Sequence, residues 1–286
     1  MDTNFWLIQT FNGVSYGALL FLLASGLTLI FGVMRIVNLS HGAYFLLGGY
    51  VALTVIKASG SWLLALPVAA LVIAFLGLII ERLFLRPLGF DPLRQVLLTV
   101  GFAFLFQQAA LDIWGGDNLI IQPPAALSQS VVVGKLHLPV YRIFMIALAV
   151  AIGLVLWFAM ERTRIGAVVR ATVDDAEMAR GVGIDTSRVS MFIFALGAFL
   201  AALGGVIGGA FLGIYPGLDF EVLPIAFAVV IIGGMGSLAG AAIGSLLVGL
   251  ADNFGKALFP EVAYFSLYAP MVLILAMKPT GLLGRE

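Results

Sequence analysis

The chain is expected to be an all-α polytopic integral membrane protein. It should have about eight transmembrane segments, some broken or half-length, and a cytoplasmic coupling helix. Three observations predict this. Hydrophobic residues make up 62% of the 286 positions and charged residues only 10%, with a mean hydropathy of +1.13. A soluble domain of this size carries about 25% charged residues. The apolar residues also fall in runs close to the ~20 needed for a helix to cross a bilayer. The charges collect between those runs, most densely in 161–188. Residues 1–286 read as a single transmembrane domain.

Composition closes off other classes. There are no cysteines, so disulfides and thiolate metal sites are excluded. Fifteen basic and fifteen acidic residues balance, with no basic patch for nucleic acid. His41 and His137 are too few and too far apart for a metal cluster. Asp2 replaces the positive start of a signal peptide, and no small-residue cleavage site follows Phe31, so the first run reads as a retained span.

The first span is Phe5 to Met34, with Asn12 and the pair Gly13 and Gly17, a small-xxx-small face for close helix contact. Arg35 to Gly42 is polar. The short apolar run that follows makes Asn38 to Ile56 read as a broken or half-length helix. Irregular backbone at membrane depth is tolerated only beneath protein or water, and broken helices often line transport paths. A surface loop with His41 wetted is the alternative. Trp62 to Ile80 is the third span, with Pro67 near its start. Glu81 to Arg94 is a basic loop, placed in the cytoplasm by the positive-inside rule. Val96 to Trp114 is the fourth span, with Gln107, Gln108 and an interfacial Asp112 near its far end. Gly115 to Pro139 is a long outer loop, and Tyr141 to Met160 the fifth span.

Glu161 to Arg188 cannot lie in hydrocarbon, yet it has the marks of ordered structure. Asp174 or Asp175 can cap a short helix, Glu177 falls in its first turn, and Gly181 and Gly183 can stop it. Ala171, Ala176 and Ala179 leave room for close docking. The segment reads either as a handle for a soluble partner or as a charged loop that fixes topology.

Val189 to Leu212 is a span rich in small residues, and Gly213 to Glu221 a turn. Val222 to Leu250 is interrupted at Gly233, Gly234 and Gly236 and continues with Gly240 and Gly244. It is either one kinked span or a half-helix followed by a full one. Asp252 to Glu261 reads as a loop, and Tyr264 to Met277 closes the chain. With eight crossings, Lys256 falls inside and Lys57, Lys135, Arg142, Lys278 and Arg285 outside. A double crossing of 222–250 moves Lys256 out and Lys278 and Arg285 in, which gives the cleaner bias.

No nucleotide-binding loop, Ser/His/Asp arrangement or mid-span acid is visible. A solute pathway with no energy source of its own suggests that energy arrives through a partner. A self-sufficient secondary carrier and a non-transporting scaffold are the competing classes.

Three motifs carry a family resemblance. They are Asn12-Gly13…Gly17…Gly26…Phe31-Gly32…Asn38-Leu-Ser-His41-Gly42, Gly166…Arg170-Ala171…Asp175…Ala179…Gly183-Ile184, and Gly233-Gly234-Met-Gly236-Ser237…Gly240…Gly244. With Pro279-Thr-Gly281-Leu-Leu-Gly284 they resemble the LivH-type permease subunits of ABC importers for branched-chain amino acids, over essentially the whole chain. Urea and short-amide permeases look similar. The resemblance implies alternating access in a bacterial inner membrane. It implies two cytoplasmic ATPase subunits that bind the ATP and Mg, so this chain has no cofactor of its own. It also implies a second permease subunit, identical or not, and an extracytoplasmic binding protein delivering Leu, Ile or Val. Gly166, Arg170, Ala171, Asp175, Ala179 and Gly183 are then expected to couple to the ATPases. Asn12, Asn38, Ser40, His41 and Gly42 are expected near the translocation path. Gly233, Gly234, Gly236, Gly240 and Gly244 are expected to form a hinge or a close-packed face.

Overall fold

A computed structural model describes residues 3–89, 91–134 and 136–284. Asp2, read above against a signal peptide, and Lys135 and Arg285, used for topology, lie outside the described residues. The long apolar runs form helices because each backbone polar group in a bilayer must be satisfied within its own segment. Helix α1 spans Thr3–Met34, α2 His41–Ser59 and α3 Trp62–Ile80, the last continuing as a π turn and a 3₁₀ turn to Leu88. Helix α4 (Pro92–Trp114) starts on an Asp91 cap that accepts from the Arg94 N–H. A small hairpin follows, β1 (Ser130–Val133) antiparallel to β2 (Leu136–Pro139), with Val131 opposite Leu138. Then come α5 (Val140–Arg162), α6 (Arg164–Asp174), α7 (Ala176–Gly181) and α8 (Thr186–Gly209). Helices α9 (Leu218–Gly233), α10 (Leu238–Leu258) and α11 (Ala263–Met277) complete the chain.

Seven helices among the described residues are long and apolar enough to cross a membrane: α1, α2, α3 with its extension, α4, α5, α8 and α10. Helices α9 and α11, of 16 and 15 residues, are shorter. Contacts between distant elements fix the direction of travel. Arg142 at the start of α5 donates to Asn12 near the start of α1, so α1 begins opposite the 161–188 segment. Gly32 at the far end of α1 packs on Gly236, which puts the turn between α9 and α10 on the side of that segment. The N–H groups of Leu282 and Leu283 donate to the Ile232 and Gly233 carbonyls, which brings the C-terminal stretch there too. Helices α9 and α10 are therefore an antiparallel pair, and 222–250 crosses twice. With the basic 161–188 segment inside, Lys256 is outside and Lys278 inside, the cleaner of the two charge distributions.

The core forms where α1 packs between α8 and α10, with α2 and α9 against the same group. Small residues bring these backbones together. An added Cβ at Gly17 would meet the Ser245 carbonyl at 2.8 Å, and one at Gly26 the Gly197 carbonyl at 2.6 Å. Helices α3, α4 and α5 form an outer layer whose Leu63, Phe75, Leu97, Phe104 and Val155 are exposed, the composition that lipid contact requires.

Four sequence expectations need correction. The chain breaks at 35–40, before α2, and α2 itself is a continuous helix of 19 residues. The 81–88 stretch stays helical. Glu81 is buried rather than wetted, and Pro87 falls early in the 3₁₀ turn, where a missing N–H costs little. Asp252 does not open a loop. It lies inside α10, where Lys256 one turn on pairs with it at 2.7 Å. The outer 115–139 stretch holds the hairpin and docks through Leu119, which exchanges backbone bonds with Ile214.

Candidate functional site

The cytoplasmic unit is built from caps inward. Thr163 caps α6 by accepting from the Gly166 N–H at 3.2 Å. Gly166 is required because a Cβ there would collide with the Met160 carbonyl. The Arg170 guanidinium reaches back to the same carbonyl and stands 3.8 Å from the Glu161 carboxylate, which fastens α6 to the end of α5. Val169 on the inner face of α6 joins Leu29 of α1, Leu156 of α5, and Ile193 and Leu200 of α8 in a small separate apolar cluster. Any force on α6 therefore bears on three membrane helices.

Asp175 separates α6 from α7. Its N–H donates to the Ala171 carbonyl, and its Oδ1 accepts from the N–H groups of Glu177 and Met178, both at 2.9 Å. Of the two candidate caps, Asp175 is the one used. Helix α7 ends with Gly183 at φ 92°, where the Gly183 N–H bonds Arg180 and the Ile184 N–H bonds Ala179. This is a glycine-terminated Schellman ending. Ala179 is buried, while Met178 and Val182, one turn apart, are 68% and 74% exposed. All six residues assigned to coupling thus lie in one ordered unit, with Met178 and Val182 as an apolar ridge on its outside. Sequence reasoning did not single out those two. Their i, i+4 spacing on a charged helix was the available signal.

The second unit is the break before α2. Asn38, Ser40 and His41 are all fully buried. Asn38 Oδ1 accepts from the Ser40 N–H at 3.1 Å and lies 2.7 Å from Ser40 Oγ, which is also 3.2 Å from the Tyr44 hydroxyl. The Leu39 N–H donates to Thr99 Oγ1 on α4 at 3.2 Å. His41 Nε2 lies 2.9 Å from the Leu23 carbonyl of α1. A carbonyl only accepts, so Nε2 carries the hydrogen. Gly42 faces the first turn of α9, where a Cβ would stand 2.5 Å from the Asp219 carbonyl oxygen.

Several buried polar atoms here find no hydrogen-bond partner among the described residues: Asn38 Nδ2, His41 Nδ1, the Tyr50 hydroxyl and both carboxylate oxygens of Asp219. The Phe220 N–H, in the same turn, donates instead to the Gly217 carbonyl at 3.0 Å. Orphaned polar groups cost about 1–3 kcal/mol each when buried. A polar seam of this kind between α2 and α9 is where a passing polar group would find partners. Asp219 was missed in the sequence because it was read as part of an interfacial turn. It is a buried acid in the first turn of α9, a helix of 16 residues.

Asn12 is not part of this seam. It is bound to Arg142 near the outer ends of α1 and α5. Gly233, Gly240 and Gly244 pack α9 on α10, since a Cβ at Gly244 would meet the Val229 carbonyl at 2.5 Å. Gly234 and Gly236, at φ 100° and 81°, make the turn between those helices. Gly233, Gly240 and Gly244 are thus packed against backbone, and Gly234 and Gly236 lie in the turn.

Comparison with known proteins supplies the family. The family model described as "Branched-chain amino acid transport system / permease component" matches residues 9–277. The high-affinity branched-chain amino acid transport system permease protein LivH of Escherichia coli (strain K12) is 32% identical over 300 residues, covering 98% of this chain and 96% of its own. BraD of Pseudomonas aeruginosa, named for the same system, is 30% identical over 302 residues, with the same coverage. The probable LivH of Methanocaldococcus jannaschii is 28% identical over 289 residues, 96% of this chain and 91% of that one. No solved structure matches the chain significantly. This multi-pass chain belongs to the family of permease components of the branched-chain amino acid transport system.

Proposed function

We propose that this chain is the membrane permease of an ATP-driven importer that carries leucine, isoleucine or valine inward across the inner membrane. In this reading two cytoplasmic ATPase subunits bind the ATP and Mg and grip α6 and α7. A second permease subunit completes the pathway, and an extracytoplasmic binding protein delivers the solute. This chain itself hydrolyses nothing.

The observation that carries the reading is the capped α6–α7 unit, tied through Val169 to α1, α5 and α8 while Met178 and Val182 stand free. A charged loop that only fixed topology would need neither the Schellman ending nor an exposed apolar ridge. The mechanism follows from the connections. Closure of the ATPases on ATP would push α6, and α6 would move the three helices it touches. Their glycine contacts present smooth backbone surfaces that can shift without unlocking interdigitated side chains. The seam between α2 and α9 lies on the route this opens. The relatives' names favour branched-chain amino acids over urea or amides.

The test is copurification of the importer followed by ATP hydrolysis in liposomes with binding protein and leucine. Leucine-stimulated hydrolysis that requires this chain is expected. Met178→Glu combined with Val182→Glu is expected to abolish copurification of the ATPases while leaving the chain folded in the membrane. An intact complex that ignores leucine, isoleucine and valine would move the solute to another class, and absence of any ATPase would refute the importer.

A further inference from the structure

A cavity of about 530 Å³ opens on the outer half of the protein, between α1, α9, α10 and α11. Small-molecule sites run from about 300 to 1,000 Å³. The charges in its wall are arranged in a specific way. Asp252 is buried and holds the Lys256 ammonium at 2.7 Å, while the lysine side chain is 63% exposed. An ammonium has three donors, so one bond to Asp252 leaves two for the cavity. Lys256 Nζ also lies 5.7 Å from the centre of the Tyr16 ring. Across the wall, Glu221 accepts from the Tyr215 hydroxyl at 2.7 Å through Oε2, which leaves Oε1 uncommitted. Burial, and then the bond to Glu221, push the Tyr215 hydroxyl up to about 12. Tyr16, Asp252, Tyr268 and Glu221 all line this one cavity. Leu212, Val222 and Ile225 supply an aliphatic wall.

We propose that this cavity is an entry site for a zwitterionic aliphatic α-amino acid, with the ligand carboxylate on Lys256, its ammonium on Glu221, and its side chain on Leu212, Val222 and Ile225. The inference rests on the permease reading and adds a place where the solute is held after it leaves the binding protein. The wall carries two acids and one base. An anion without an ammonium is therefore repelled, and an amine without a carboxylate leaves Lys256 unused. Recognition of both charges at once separates an amino acid from either half of it.

The absence of cysteine makes the test direct, because Ile225→Cys puts this chain's one thiol in the cavity wall. In the assembled importer without binding protein, its modification by a methanethiosulfonate reagent is read by mass on this chain. Millimolar leucine is expected to slow the modification about threefold, the factor for ligand at about twice its Kd. Matched 3-methylbutylamine and 4-methylpentanoate, each with one of the two charges, are expected not to. Adding Lys256→Met removes protection by leucine, and adding Glu221→Gln does the same. Val222→Cys serves as the reporter if Ile225→Cys does not assemble. A rate indifferent to leucine, equal protection by the two half-molecules, or protection that survives Lys256→Met overturns the site. Leucine-stimulated hydrolysis, measured on the same complex after binding protein is added, separates the two failures. A leucine response without protection rejects the cavity alone, no leucine response rejects the branched-chain solute, and absence of the ATPases rejects the permease reading.

Discussion

An added Cβ at Gly205 would collide with the Phe45 carbonyl, and one at Gly48 would lie 2.5 Å from the Ala202 Cα. These neighbours are backbone, so no side-chain rotation relieves the clash. Gly205→Ala is expected to part α2 from α8 at a cost of about 1–3 kcal/mol, the range for overpacking. The thermal midpoint of the detergent-purified complex measures it. Gly101→Ala on α4, where nothing lies within 4 Å, is the control and is expected to be neutral or slightly stabilising. The glycines of the core were legible in the sequence as small-xxx-small spacings, but which glycine touches which backbone was not, because spacing within one helix says nothing about its partner. The 38–42 residues were legible because Asn, Ser and His between apolar runs cannot be ignored. Asp219 was not, because an acid next to a glycine turn looks interfacial until α9 is seen to start beside Gly42.

Helices α6 and α7 depend on caps more than on burial, since α7 has six residues. An isolated helix so short is not stable, and each cap contributes about 1 kcal/mol. Asp175→Ala is expected to loosen α7 and lower leucine-stimulated hydrolysis about fivefold, the equivalent of that energy. Asp175→Asn, which caps equally well, should restore it. Gly183→Val, at φ 92°, forces a β-branched residue into a left-handed conformation and is expected to act like the loss of the cap. Equal activity in Asp175→Ala and Asp175→Asn would dissociate the cap from coupling. The caps were readable because Asp and Gly have strong positional meaning. The reach of Arg170 to Met160 was not readable, since it depends on the angle between α5 and α6.

At the scale of the molecule, the charge count left two topologies open, and packing chose between them. Single cysteines check the choice. Asn4→Cys should react with impermeant thiol reagents from outside, and Pro279→Cys only from inside. Labelling of both from one side would refute the arrangement of α9 and α10. The resemblance to a permease family spans most of the chain because its motifs fall in α1, α6–α7 and the turn between α9 and α10. Those are the places where glycine or a cap is required by contact rather than by hydrophobicity.

The length of α1 reaches beyond packing. At 32 residues it extends about 48 Å, while α9 and α11, of 16 and 15 residues, extend about 24 and 22 Å. A hydrocarbon layer is about 30 Å thick. One helix is longer than its solvent is thick and two others are shorter, mismatches of the kind that tilt and local thinning accommodate. A change of conformation that alters the tilt of α1 must then also alter the fit between protein and lipid. Transport in vesicles of graded acyl-chain length should accordingly pass through a maximum, and the bilayer becomes a participant in the transport cycle.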